Sequence, residues 1–265
     1  MKIYGLCVVK DEDDIIQQSI NHALKFCDCI IILDNGSTDE TWNILQDLAR
    51  QHTNQIILFG QSTEPFRDSI RSLIYNEFHK QLSEEDWWLR LDSDEFLVQD
   101  PRHFIQATHR EKADFIQAWQ IQFYYTDQDH KNWLAGQDLR DNSIIERRRY
   151  YKINWREYRF FRNQSHQSWD INQSSQWPNG LQTVAHKKIY NRHYQYRDPE
   201  QIQKRLKGRY KNPEFNHVNS LDWQAHICPA HKLNYFQSNQ PWQFNSLDFY
   251  RLKIMMKLTG KSPKY

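Results

Sequence analysis

The sequence predicts an α/β fold: a mostly parallel sheet with helices on both faces, followed by a C-terminal extension. Strand and helix signals alternate through the first 125 residues in the order β-α-β-α-β-α-β, the pattern of a layered parallel sheet. The apolar runs are short and end in turn residues or carboxylates. The 265-residue chain is 38% hydrophobic and 14% aromatic, enough for a sizeable core, and this excludes wholesale disorder.

Ile3 to Val9 is the first apolar run. Asp11 to Asp14 then place carboxylates at a helix start, where the dipole favours them, and Ile15, Ile16, Ile20, Ala23 and Leu24 follow at helical spacing. Cys29 to Leu33 is a second strand, stopped by Asp34-Asn35-Gly36. Ser37, Thr38 and Asp39 offer caps for the next helix, with Trp42, Leu45 and Leu48 facing inward. Gln55 to Phe59 is a third strand, and Phe66 to Leu82 a helix with Ile70, Leu73, Ile74 and Phe78 inward. Trp87 to Leu91 is a fourth strand, ending at Asp92. Pro101 opens a helix at a position where its missing N–H costs little, and Asp114 to Tyr125 alternates like a half-buried strand. Beyond this the spacing predicts strands at Tyr158 to Arg162 and Ile189 to Tyr194, a helix over Asp198 to Gly208 and a basic amphipathic helix over Leu247 to Leu258.

Composition narrows the chemistry. There are only 7 Gly, and neither GxGxxG nor GxxxxGK[ST] occurs. The 4 Cys form no CxxC pair and no zinc spacing, so they read as reduced, mostly buried thiols. No apolar run is long enough to span a bilayer and no basic-apolar leader opens the chain, so the expected location is cytoplasmic. The net charge of +2 conceals an asymmetry: residues 1–140 hold 13 Lys+Arg against 24 Asp+Glu, and residues 141–265 hold 22 against 9. A basic second half suits an anionic partner.

In open α/β sheets ligands sit at the carboxyl ends of strands. Asp11 and Glu12 follow the first strand, Asp34 the second, and Asp92 and Asp94 the fourth. Asp92-Ser93-Asp94 offers oxygen ligands to a hard divalent cation, which bound to a diphosphate would neutralise a leaving group. Most DxD triplets are solvated turns; the position after an apolar strand distinguishes this one. Asp34-Asn35-Gly36 is an Asn-Gly turn before a helix cap, in which the Asp34 carboxylate is not needed for capping and could accept from an imino N–H of a pyrimidine base.

In series, Val9-Lys10-Asp11-Glu12, Leu33-Asp34-Asn35-Gly36-Ser37-Thr38-Asp39, Arg71 and Leu91-Asp92-Ser93-Asp94-Glu95-Phe96 resemble the motifs of family 2-type glycosyltransferases, over residues 1–125. Asp11-Glu12 stands where the family usually has Asn-Glu, and Asp34-Asn35 where it has an Asp-Asp pair. The resemblance implies a GT-A, Rossmann-like fold, with residues 1–125 as a nucleotide-sugar-binding half and residues 126–265 as an acceptor-binding, site-completing half of the same domain. It implies that Lys10 and Glu12 lie by the nucleoside, Asp34 holds the base, Arg71 approaches base or phosphates, Asp92 bonds ribose or donor sugar, and Asp94 binds Mn²⁺ or Mg²⁺. The segment Tyr190 to Arg197 resembles a C-terminal His-Tyr-x-Tyr-Arg segment of bacterial members. There His193 is a candidate nitrogen ligand suited to Mn²⁺, and Arg197 and Arg205 are candidate diphosphate clamps.

The implied reaction is inverting transfer of a sugar from a nucleotide sugar, with UDP favoured, to a glycan or lipid-linked hydroxyl acceptor. It needs one general base. Asp127, Asp129, Asp138, Asp141, Glu146, Glu157 and Asp170 are candidates, and Asp170 is chosen because it follows the strand ending at Arg162. Trp119, Trp133, Trp155, Trp169 and Trp177 are candidates for core packing or for an acceptor groove. Nucleic acid is not expected as a partner despite the basic-aromatic run from Glu146 to Arg162; the basic C-terminal helix reads first as a terminal helix docked on the core, with peripheral contact with anionic lipid on the inner face of the membrane as the alternative. Three alternatives remain open: a sugar nucleotidyltransferase, a noncatalytic glycan- or nucleic-acid-binding module, and a degenerate glycosyltransferase that only hydrolyses or only binds its donor.

Overall fold

Four short apolar segments become parallel neighbours in the computed structural model, which describes residues 1–108, 111–173, 175–210, 212–215 and 218–237, and Ile254. They are β1 (Ile3–Val9), β2 (Cys29–Asp34), β3 (Ile56–Gln61) and β4 (Trp87–Leu91). Their order is β3-β2-β1-β4, with Val9 opposite Asp34 and Cys7 opposite Leu91. The strands are apolar on both faces because both faces are covered. Ile3, Cys7, Val9, Ile30, Ile32, Leu89 and Leu91 pack with Ile16 and Ile20 of α1 (Ile16–Ala23) and Leu45 and Leu48 of α2 (Thr41–Gln51). Leu6, Val8, Ile31, Leu33 and Trp88 pack with Ile74 and Tyr75 of α3 (Ser72–Phe78).

The chain forms two compact units that do not follow a division at residue 125. One comprises Met1–Ala118 and Glu157–Ile189, the other Trp119–Arg156 and the described residues from Tyr190 onward. The elements after β4 are β5 (Glu95–Leu97), α4 (Pro101–Thr108), β6 (Phe115–Phe123), α5 (Asp127–Leu134), α6 (Ile144–Arg147), β7 (Tyr150–Arg162), β8 (Ile189–His193), α7 (Pro199–Arg209) and β9 (Asn234–Tyr235). The unit boundaries fall within β6 and β7 and at the start of β8. β7 begins eight residues before the predicted Tyr158, and in the first unit its end runs antiparallel to β4, with Leu89 opposite Phe160. The parallel expectation therefore holds for the four strands β1 to β4, and β7 makes the sheet mixed. The predicted helix over Phe66 to Leu82 is broken into a 3-10 turn at Asp68–Arg71, α3, and a second 3-10 turn at His79–Gln81. The predicted helix at Leu247 to Leu258 lies outside the described residues apart from Ile254.

The second unit has its own core, Tyr125, Ile202, Leu206 and Val218, and a buried ionic network. Asp138 accepts from Arg147 Nε at 2.7 Å and Arg148 Nη2 at 2.5 Å. Asp198 caps α7 by accepting from the Gln201 amide at 2.9 Å, and takes both Nε and Nη2 of Arg140 at 3.0 and 2.7 Å. Burial would raise the Asp198 carboxyl, but these bonds and the Arg140 and Arg147 charges hold it below the usual carboxylate range. A depressed folded-state value contributes stability above the unfolded value, near 3.9, that is lost as pH falls through the folded one. Asp198→Asn should therefore be less stable than the parent at pH 7, with the difference shrinking below about pH 4. Thermal melts across pH 2–7 check this.

Candidate active site

The carboxyl ends of β1, β2 and β4 meet at the sheet edge where strand order reverses, the place an open α/β sheet leaves for a ligand. Asp34 ends β2 and is fully buried. Its Oδ1 accepts from the Gly36 and Ser37 amides at 2.9 and 2.8 Å, so contrary to the sequence reading it does organise the turn. Its Oδ2 is buried and has no protein partner among the described residues. A buried carboxylate oxygen without a donor is costly, and an incoming N–H would satisfy it. Gly36 has φ +76° and lies close to the Ser62 carbonyl, a position a side chain would strain. Asn35 fastens the turn by donating to the Ser62 and Glu64 carbonyls at 3.2 and 2.8 Å.

The turn after β1 is tied to the same loop. Asp11 sits at φ 55°, a conformation an aspartate tolerates better than most residues. Its amide donates to Ser37 Oγ at 2.9 Å and its Oδ1 accepts from the Thr38 amide at 2.7 Å. Ser37 and Thr38 thus link two loops, and Asp39 accepts from the amide of Thr41, the first residue of α2, at 2.9 Å. Glu12 is buried, with its amide donating to Thr41 Oγ1 at 2.8 Å, while Lys10 is exposed.

Asp92 lies at the end of β4 inside a cage of arginines. Arg71 Nη2 reaches its Oδ1 at 2.5 Å, Arg159 Nη1 its Oδ2 at 2.8 Å, and Arg90 Nη2 stands 3.7 Å from Oδ2. Arg71 and Arg90 also meet Asp68 at 3.2 and 3.5 Å, and Arg159 bonds Glu95 and Glu157. Burial alone would raise the Asp92 carboxyl. The guanidinium groups of Arg90, Arg71 and Arg159 outweigh it and hold the carboxyl well below the usual range, against the nearby Asp94 charge. Three guanidinium groups thus meet four carboxylates, and buried Asp94 adds a fifth negative charge. Arg71, expected to approach a base or phosphates, is instead buried and bonded to Asp68 and Asp92.

Asp170 is exposed and accepts from the Asn172 amide at 2.9 Å. Its neighbours are pinned: Trp169 exchanges two 2.8 Å bonds with Asn76 of α3, and Ser69 Oγ donates to the Ile171 carbonyl at 2.7 Å. The loop carrying Asp170 is therefore fastened to the helical segment that carries Arg71. Trp169 itself is 1% exposed and packs against Tyr75 and Phe161, which assigns it to the core and not to an acceptor groove. Trp177 packs on Phe115 and Tyr158.

His193 and Arg197 belong to the second unit. The His193 ring stands edge-on to Trp155 at 6.4 Å. Arg197 is fully buried, its Nη1 donating to the Tyr194 carbonyl at 3.0 Å while its own carbonyl accepts from Arg148 Nε at 2.6 Å. That makes Arg197 a structural arginine in this conformation, not an exposed diphosphate clamp. The cysteines are free, and burial pushes the Cys7 thiol up to about 12. Among the described residues no group of three or more His, Cys, Asp or Glu side chains is arranged to hold a metal.

No family model matches the chain. Over 123 residues it is 29% identical to proteins of Rickettsia typhi and Rickettsia prowazekii, each named an uncharacterized glycosyltransferase. The chain is glycosyltransferase-like. The match takes in 45% of this chain and 37% of each relative's length. Among solved structures, S. aureus TarS aligns over 83% of this chain and 42% of its own, with TM-score 0.41 and 12% identity. A Pyrobaculum calidifontis mannosyltransferase in complex with GDP-Man and Mn²⁺ aligns over 100% and 76%, with TM-score 0.42 and 10% identity. Alignments this loose assign no residue a role. Among the described residues no helix is long and apolar enough to cross a membrane.

Proposed function

We propose that the chain is a GT-A glycosyltransferase that moves a sugar from a nucleotide diphosphate, with UDP favoured, to a hydroxyl of a glycan or lipid-linked acceptor, with inversion. The observation that carries this reading is the buried Oδ2 of Asp34 at the carboxyl end of β2, which has no protein partner among the described residues, on the same strand-end side of the sheet as Asp92 and Asp94 at the end of β4. Asp34 Oδ2 accepts the imino N–H of a pyrimidine, while Oδ1 keeps the turn in place. Lys10 and Glu12 flank the nucleoside, and Asp92 accepts from the ribose or the donor sugar.

The donor set fits a hard divalent cation in the mode usual for nucleotides, with one or two carboxylates and the remaining ligands from phosphate and water. Asp94 would hold Mn²⁺ or Mg²⁺ there. When bound, the cation would offset charge on the leaving diphosphate. Asp170 takes the proton from the acceptor hydroxyl as its oxygen attacks the anomeric carbon. The bond from that carbon to the diphosphate oxygen breaks, and its electron pair leaves with the nucleotide diphosphate.

Incubation with UDP-, GDP-, CDP- and dTDP-sugars and saccharide acceptors, read by nucleotide release and by NMR of the product's anomeric configuration, tests the reading. Asp170→Asn should keep donor binding and lose transfer by about 100-fold or more, the size of a general-base contribution. Near-normal turnover in that variant would remove Asp170 from the role, and no glycoside from any donor would contradict the transferase reading.

A further inference from the structure

We propose that Arg159 is a positioning residue whose clamp on Asp92, completed by Arg71 on the other carboxylate oxygen, makes the site select ribonucleotides over 2′-deoxyribonucleotides. This rests on the reading above that Asp92 receives the nucleotide.

The geometry is that of a carboxylate prevented from turning. Oδ1 is bonded to Arg71 at 2.5 Å and Oδ2 to Arg159 at 2.8 Å, and both arginines are 3% exposed. Arg159 is itself anchored on two sides, by Glu95 at the start of β5 and Glu157 on its own strand. Arg90, the third cation near Asp92, is held by Gln176, which accepts from its Nη1 at 2.7 Å and donates to Asp68 at 2.6 Å. Each carboxylate oxygen carries a second lone pair. With both oxygens committed, those lone pairs point in fixed directions and cannot be redirected to another donor.

That rigidity is what specificity requires. A site built to bond a hydroxyl rejects an analogue lacking it when its polar group cannot find another partner. A carboxylate free to rotate would re-pair with an arginine or with water, and the missing hydroxyl would cost little. Arg159 is well suited to the task because its planar fork serves Asp92 and Glu95 through different nitrogens at once, which a lysine ammonium cannot reproduce in the same geometry.

The test is calorimetric affinity for UDP against 2′-deoxy-UDP, and GDP against 2′-deoxy-GDP, with Mn²⁺ present. The parent protein should prefer the ribonucleotide by about tenfold or more, as for a hydrogen bond to a charged group. Arg159→Gln should reduce the preference to less than about threefold, by removing one of the two bonds that fix Asp92. Glu157→Gln leaves the partners of Asp92 in place, removes one anchor of Arg159, and should give an intermediate preference. If Arg159→Gln does not fold, judged by thermal melts, Glu157→Gln alone decides. Nucleotide binding by the parent without ribose preference overturns the inference and leaves the transferase reading standing, as does a preference unchanged in these variants. Absence of nucleotide binding by the parent overturns both.

Discussion

Asp34→Asn should weaken nucleotide binding by roughly 10- to 100-fold while leaving the fold intact, the loss of about 1.5–3 kcal/mol expected when a hydrogen bond to a charged group disappears. The substitution discriminates because the two oxygens of Asp34 do different things. Oδ1 accepts from the Gly36 and Ser37 amides, and an asparagine carbonyl can keep both bonds. Oδ2 is buried with no protein partner among the described residues, and an NH₂ in its place would turn a donor toward the donor on the base. Calorimetry measures the affinity and a thermal melt the fold. A variant that binds like the parent would mean that Oδ2 does not face the ligand. Asp34→Ala would be a poorer experiment, since it would also release the turn.

The largest stability effect should come from the second unit. Asp138→Ala leaves Arg147 and Arg148 without their shared carboxylate, and all three side chains are at most 4% exposed. Breaking a buried ionic network by removing one partner costs about 3–5 kcal/mol, because the other charges stay buried. For a chain of this size that is a fall of roughly 10 °C in melting temperature. Leu139→Ala, at a neighbouring side chain that is 58% exposed, should change it little and serves as the control. If Asp138→Ala melted with the parent, the network would contribute nothing net. Because Arg148 also grips the Arg197 carbonyl, the same variant should loosen the turn before α7.

The first half of the sequence was legible because its structure is local. Each strand from β1 to β4 is a short, mostly apolar run, and each boundary falls within a residue or two of its expected place. The register that brings Asp34 and Asp92 to one edge follows from parallel strands of similar length. What escaped was long-range. Arg90 is the one charged residue in Trp87–Leu91, and Arg159 lies 67 residues beyond Asp92. The run from Glu146 to Arg162 read as a basic, aromatic surface facing an anion. Yet Glu157 and Arg159 alternate with Tyr158 and Phe160, the period of a strand with one polar face. Two opposite charges two residues apart on such a strand indicated an inward ionic pair. Arg197 shows the converse: a motif resemblance suggested a phosphate clamp, and packing against the Tyr194 carbonyl made it structural.

Binding of UDP, GDP, CDP and dTDP to the parent protein and to Asp94→Ala, by calorimetry with Mn²⁺ and again with EDTA, decides whether the strand ends form a metal-dependent donor site. One nucleotide should bind well above the rest, EDTA should weaken it, and Asp94→Ala should bind weakly under both conditions. Failure of every nucleotide to bind with Mn²⁺ would contradict a donor site at the strand ends.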